Sequence, residues 1–288
     1  MTVMLQVPRP AKSEAEEPAL VQSRAGGPQL IAIASGKGGV GKTWLAISLA
    51  QCLATRGLKV LLFDGDLGLA NVDIQLGLTP KQDLSSVLSG RVALAQVIIR
   101  HEVSEQPAAA FDIVPGRSGA ASIAALELGL LDQLIGSVRL LRGYDIVLLD
   151  LGAGIDPVTR FMAAAADTLI VVSTDEPTAL TDAYAVMKLH ARDQTARRTR
   201  PVAGGTLAKP DVRLVINQAT SLASGRRTYD VLARACTTFL GEAPLLAGVI
   251  RRDGRVADAI RRQTTLLTRY PNTPAAEDVA RIANAFVN

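Results

Sequence analysis

Gly36-Lys37-Gly38-Gly39-Val40-Gly41-Lys42-Thr43 decides how the rest of this chain is read. The stretch is G-x-x-x-x-G-K-[ST] without a gap. Its glycines let the backbone curl until several N–H groups point at one spot, and the helix that follows adds positive partial charge there. Such a loop cradles phosphate. Lys42 reaches the β- and γ-phosphates, and the Thr43 hydroxyl is a hard oxygen donor suited to Mg2+. The flanks agree. Leu30-Ile31-Ala32-Ile33-Ala34-Ser35 reads as a buried strand and Thr43 to about Arg56 as a helix, with Gly57 placed as its C-cap.

The same residues satisfy Gly36-x-Gly38-x-x-Gly41, with Asp64 lying 23 residues beyond Gly41. A dinucleotide-binding turn would use that acid on a ribose, so a nicotinamide-type oxidoreductase is a rival reading. It has no use for Lys42 and Thr43 in tandem, which favours the phosphate loop.

Working outward, apolar strands recur at Lys59–Asp64, Phe111–Val114, Tyr144–Asp150, Thr168–Ser173, Val212–Asn217 and Leu246–Ile250, with helical patterns between them. Short continuous apolar strands alternating with helices predict an α/β P-loop NTPase. Its one mostly parallel twisted sheet has helices on both faces. Residues 1–28 are rich in Pro, Ala, Glu and Gly without a period and read as a disordered tail; 29–288 form the single domain. Residues 192–211 read as a surface loop. Two strands end in acids: Tyr144–Asp150, and the strand closed by Asp64-Gly65-Asp66. In a parallel sheet these ends meet at one edge with the loop, where Asp64, Asp150 and Thr43 are placed to support a magnesium ion.

Composition narrows the class. Aromatics are 3%, which argues against stacking on single-stranded nucleic acid. From residue 188 onward there are 17 Lys+Arg against 8 Asp+Glu, and before it 14 against 19. A basic final third suits a polyanion such as DNA or an anionic membrane surface, or is simply a solvated Arg-rich face. Cys52 and Cys236 have no CxxC spacing, so neither a disulfide framework nor a zinc site is expected, and both read as core. No run of 18 apolar residues is present. The expected location is cytoplasmic, with a peripheral position at the inner face of the cell membrane as an option.

Lys37, directly after the first glycine, resembles the deviant Walker A loop of the MinD/ParA ATPases. The resemblance implies an ATPase that hydrolyses slowly and an ATP-dependent homodimer in which Lys37 reaches the partner's nucleotide. It also implies that Asp66 orients the attacking water and that Gly154, in Asp150-Leu151-Gly152-Ala153-Gly154, senses the γ-phosphate. Within the family, four segments are similar to the flagellar number and placement regulators of the FlhG/FleN type: Asp64–Asp73, Ile113–Gly119, Asp150–Gly154 and Asp175–Tyr184. That branch implies a flagellar assembly or regulatory protein as partner. The alternative is a ParA-type, DNA-associated cargo-positioning ATPase. The resemblance further places Asn217, Arg251 and Asp253 beside the adenine. The GTPase-activating motif D-Q-A-x-x-L-R common in the branch has no counterpart in residues 1–28, Gly65 stands where Ala is usual, and Trp44 follows Thr43 where a small or polar residue is common.

At the C-terminus, Thr273 and Pro274 read as N-cap and first helical residue. Val279, Ile282, Ala283, Phe286 and Val287 then make one apolar stripe. Its polar face is short of Lys and Arg, so docking on its own sheet is favoured over a membrane surface.

Overall fold

The structure, a computed structural model, describes residues 27–103, 106–116, 128–198 and 211–287. The expected tail, apart from Gly27 and Pro28, lies outside the described residues, as do Arg117, Ser118 and Gly119 of the Ile113–Gly119 segment. In chain order the elements are β1 (Gln29–Ser35), α1 (Lys42–Thr55), β2 (Val60–Gly65), α2 (Val72–Leu76), α3 (Leu84–Leu88), β3 (Ile99–His101), β4 (Phe111–Val114), α4 (Leu128–Arg139), β5 (Ile146–Ala153), α5 (Pro157–Ala165), β6 (Thr168–Ser173), α6 (Pro177–Arg198), β7 (Asp211–Ala219), α7 (Leu222–Leu240), β8 (Leu245–Arg251), α8 (Gly254–Arg261), α9 (Leu266–Arg269) and α10 (Pro274–Asn284).

One eight-stranded sheet runs β3-β4-β2-β5-β1-β6-β7-β8. Among the described residues every strand pairing is parallel except β3 on β4. The strands alternate cleanly between two cores, because successive side chains leave a strand on opposite faces. Ile31, Ile33, Leu62, Leu148 and Val172 pack under α1 and α10, whereas Leu30, Ala32, Phe63, Leu149 and Val171 pack under α4, α5, α6 and α7. Both faces are therefore covered, and ligands are left with the sheet's edges.

Three local features had a different outcome from the sequence reading. β3 is too short to leave a periodic signal; it is held at the sheet edge by β4 and by an Arg100–Asp112 ion pair of 3.1 Å. The loop expected over 192–211 is corrected at its ends: α6 continues to Arg198 and β7 begins at Asp211, while 199–210 lie outside the described residues. Its last two turns are anchored, since Arg160 Nε and Nη2 donate to Asp193 at 2.9 and 2.5 Å and Gln194 Nε2 donates to the Ala164 carbonyl at 3.0 Å. Gly65 has Met162 and Leu151 where a Cβ would go, at 3.0 and 3.1 Å, so larger neighbours fill the volume.

Other expectations hold. Trp44, Cys52 and Cys236 are buried core residues. The stripe of α10 is buried against α1 and β8, and Gly248 comes so close that a Cβ would lie 2.5 Å from Ile282 Cγ1. That apolar face is thus spent on the fold. Among the described residues no helix is long and apolar enough to cross a membrane.

Candidate nucleotide site

The loop between β1 and α1 sits at the carboxyl edge of the sheet. Gly39 and Gly41 adopt φ of 78° and 93°, a left-handed region that side chains resist. Gly41 is the N-cap of α1 and offers no side chain to its first N–H groups, which leaves them for a ligand. Around Gly38 and Gly39 a Cβ would meet nothing within 4 Å, so the apex is open. Gly36 is different: a Cβ there would lie 2.3 Å from the Asp182 carbonyl, and only glycine lets the loop pass under α6.

The acids lie beside it. Asp64 and Asp150 are register partners on β2 and β5 and are 0% and 1% exposed. Asp64 accepts from the N–H groups of Asn71 and Val72 at 3.1 Å each and of Asp66 at 3.3 Å. Burial, and then the neighbouring Asp150 charge, push its carboxyl up to about 8. Burial pushes Asp150 up to about 7 against the lowering effect of the Thr43 hydroxyl and of Lys42, and its Oδ1 has no hydrogen-bond partner. Burial lowers Lys42, opposed by Asp150 and Asp66. Two adjacent buried carboxyls, one with an orphaned oxygen, and a hydroxyl against them suit a dication. Among the described residues no group of three or more His, Cys, Asp or Glu could hold a metal alone, so phosphate and water oxygens would complete the shell, as Mg2+ prefers.

Asp66 is half-buried and turned toward the open edge, with Oδ1 accepting from Leu69 N–H at 2.9 Å and Gly68 N–H at 3.3 Å. Gly152 faces it, where a Cβ would lie 3.4 Å from the same oxygen. Gly154, at φ 100°, donates its N–H to the Ser35 carbonyl at 2.8 Å, which ties the end of β5 to the start of the loop. Lys37 is half-buried; its Nζ donates to Glu176 at 2.6 Å and to Thr178 Oγ1 at 3.1 Å. The loop, Asp64, Asp66, Asp150, Gly154 and Lys37 thus come together at one edge.

The residues expected beside the adenine also make bonds within the fold. Asn217 is buried, with Nδ2 donating to the Val40 carbonyl at 2.7 Å and Oδ1 accepting from Gln218 N–H at 2.8 Å. Arg251 is committed to α10: its Nε donates to Asp278 at 2.8 Å and its Nη2 to Asp278 and Glu277 at 3.0 and 3.1 Å. Asp253 caps α8 through Arg255 N–H at 2.9 Å. Sequence reasoning missed Gln218, whose Nε2 donates to the Gly39 carbonyl at 3.3 Å. No motif marks it, because its position follows from a bend in β7.

Residues 31–266 match the model of the CobQ/CobB/MinD/ParA nucleotide binding domain. The chain is 38% identical over 253 residues to the antiactivator FleN of Pseudomonas aeruginosa, covering 86% of this chain and 82% of that one. It is 29% identical over 265 residues to the flagellum site-determining protein YlxH of Helicobacter pylori, covering 91% and 83%. The septum site-determining protein MinD of Pyrococcus horikoshii, solved with Mg-ADP, shares the fold with a TM-score of 0.71 at 23% identity, covering 91% and 96%. Proteins of this family form ATP-dependent dimers and engage partner proteins. The phosphate loop with its lysine pair, the acidic strand ends and these likenesses converge. The chain belongs to the CobQ/CobB/MinD/ParA family, in the branch that holds FleN and YlxH, and is an ATPase that uses ATP and Mg2+.

Proposed function

We propose that this chain is a slowly hydrolysing, ATP-switched homodimer that regulates flagellar number or placement. The observation that carries the switch is Lys37. It belongs to the phosphate loop yet is bound to Glu176 rather than turned toward the loop's own apex. A lysine so placed is free to serve a nucleotide held by a second copy. In this reading the amides of Gly36 to Thr43 and Lys42 hold the phosphates, Thr43, Asp64 and Asp150 hold Mg2+, and Gly154 reports the γ-phosphate to β1. Asp66 orients the attacking water. Its Oδ1 is already fixed by two backbone N–H groups, which leaves the other oxygen for the water. The names of FleN and YlxH support the flagellar role, and the protein acts in the cytoplasm.

The test is the size of the Asp66→Ala variant with ATP and Mg2+. A stable dimer that reverts to monomer when ATP is exchanged for ADP is expected; a monomer with nucleotide bound sinks the switch. Flagellar counts in a strain lacking the gene should return to normal with the wild-type chain and stay abnormal with Lys37→Ala.

A ParA-type, DNA-associated positioning ATPase is the second reading. Arg226, Arg227 and Arg252 are exposed at the carboxyl edge and carry no ion pair among the described residues. ATP-dependent duplex binding that weakens steeply with salt would favour it, and none at low salt would remove it.

A further inference from the structure

Successive residues of a strand point to opposite faces, yet Asn217 and Gln218 both reach the phosphate loop. The cause is a break in β7. Its pairing with β8 runs Ile216 on Val249 and resumes at Ala219 on Arg251, and Gln218 in the gap has φ 57°. Only two non-glycine residues among those described have positive φ. A glutamine in that region is strained by about 1 kcal/mol and persists only where its surroundings hold it. Here Asn217 Oδ1 does so by accepting Gln218 N–H at 2.8 Å.

The peptide geometry of the loop gives this bend a consequence. In a trans peptide the C=O of one residue and the N–H of the next point in opposite directions. Gln218 draws the Gly39 carbonyl outward, so Val40 N–H turns inward. Asn217 draws the Val40 carbonyl outward, so Gly41 N–H turns inward. Glycines on both sides make these two peptide planes the easiest in the loop to rotate, so a fixed orientation needs an external hold. Asn217 also packs so close that a Cβ on Gly41 would lie 2.4 Å from its Nδ2.

We propose that Asn217 and Gln218 are positioning residues that lock two phosphate-binding amides of the loop into their inward orientation. Asn217 therefore acts on the phosphate end of the ligand, whatever its remaining N–H and lone pair do at the base. This rests on the nucleotide reading of the loop.

The experiment measures binding of ATP, GTP and inorganic tripolyphosphate, each with Mg2+, by titration calorimetry. Wild type, Asn217→Ala, Gln218→Ala and Lys42→Ala are compared. Asn217→Ala should weaken all three ligands, tripolyphosphate by about tenfold, and Gln218→Ala should weaken all three equally by a few-fold. Gln218→Gly should bind like Gln218→Ala while melting at a higher temperature, because the strain is gone but the amide is still missing. Loss of ATP affinity with tripolyphosphate affinity unchanged overturns the proposal and returns Asn217 to base recognition. Unchanged affinity for every ligand overturns it as well. Should Asn217→Ala not fold, the two Gln218 variants, at a half-buried site, decide the matter. A wild-type chain that binds none of the ligands, or binds them unaffected by Lys42→Ala, overturns the nucleotide reading itself, a failure distinct from the other two.

Discussion

Two groups of buried carboxylates occupy opposite ends of the same problem. Asp278 on α10 is 1% exposed, as is Asp150, and Asp64 is 0% exposed. Burial alone would raise all three. At Asp278, Arg251 and Arg281 both donate to the carboxylate, Arg251 also through its N–H at 2.9 Å, and the carboxyl ends below its ordinary value. At Asp64 and Asp150 no guanidinium is present, and the carboxyls stand at about 8 and about 7. The difference separates a joint from a site. Asp278 is an acid whose counter-charge the chain supplies, and it fastens α10 to the end of β8. The pair by the phosphate loop has only Lys42 set against it, too little to offset burial, and a bound cation would complete it.

The largest effect should come from breaking the joint. Arg251→Leu strips Asp278 of its main partner and should cost about 3 kcal/mol in urea unfolding. A loss under about 0.5 kcal/mol would mean that the ion pair does not hold α10 in place. His190 extends the contrast to a buried base. Burial lowers it from 6.5 to about 4, and its Nδ1 has no partner. Between those values the unfolded chain binds more protons than the folded one, so stability should fall as pH drops from about 6.5 toward 4. The total is on the order of 2 kcal/mol, and His190→Gln should flatten the profile. Equal pH profiles for the two proteins would show that the histidine is not held neutral.

Asp150→Asn should do the reverse of Arg251→Leu. A raised carboxyl weakens the fold as pH rises through its titration. Removing the charge at pH 8 should therefore stabilise the ligand-free protein by about 1 kcal/mol, while Mg2+-dependent ATP affinity falls at least tenfold. Destabilisation instead would place the two acid groups in the same class. The smallest change is Gly65→Ala beside Asp64. Reduced chain entropy in the unfolded state offsets the contacts with Met162 and Leu151, so the melting temperature should shift by the equivalent of about 0.5 kcal/mol or less. A large loss would show that the packing behind the acidic pair is rigid.

Much of this was legible along the chain. The loop is a continuous motif, the strands are short apolar runs, and the stripe on α10 announces a face that must be covered; all three are local patterns. What was not legible is the set of residues placed by distant partners. The end of α6 carries Arg-, Asp- and Gln-containing sequence that resembles a loop until Arg160 and the Ala164 carbonyl are seen to hold it. Arg251 and Asp253 lie next to the edge where ligands bind, and their chemistry suits a ligand as well as it suits α8 and α10. Gln218 has no signature, because its role depends on a break in strand pairing and on a loop 179 residues away in the chain.

The sequence by itself determined the chemistry of the loop. Glycine spacing and the Lys42-Thr43 pair are covalent facts, and they suit phosphate and magnesium in whatever fold carries them. It also determined that the sheet is parallel and covered on both faces, since hydrophobic period is a property of neighbours in the chain. Only the tertiary structure decided which of the acids at the loop's edge stand side by side. The strand order sets β5 between β2 and β1 and so brings Asp150 beside Asp64, 86 residues earlier. It alone decided that Arg251 faces Asp278 and that Asn217 faces a peptide carbonyl. Burial and Coulomb interaction act through space, so the charge state and the task of each buried polar group are settled by whatever the fold sets against it.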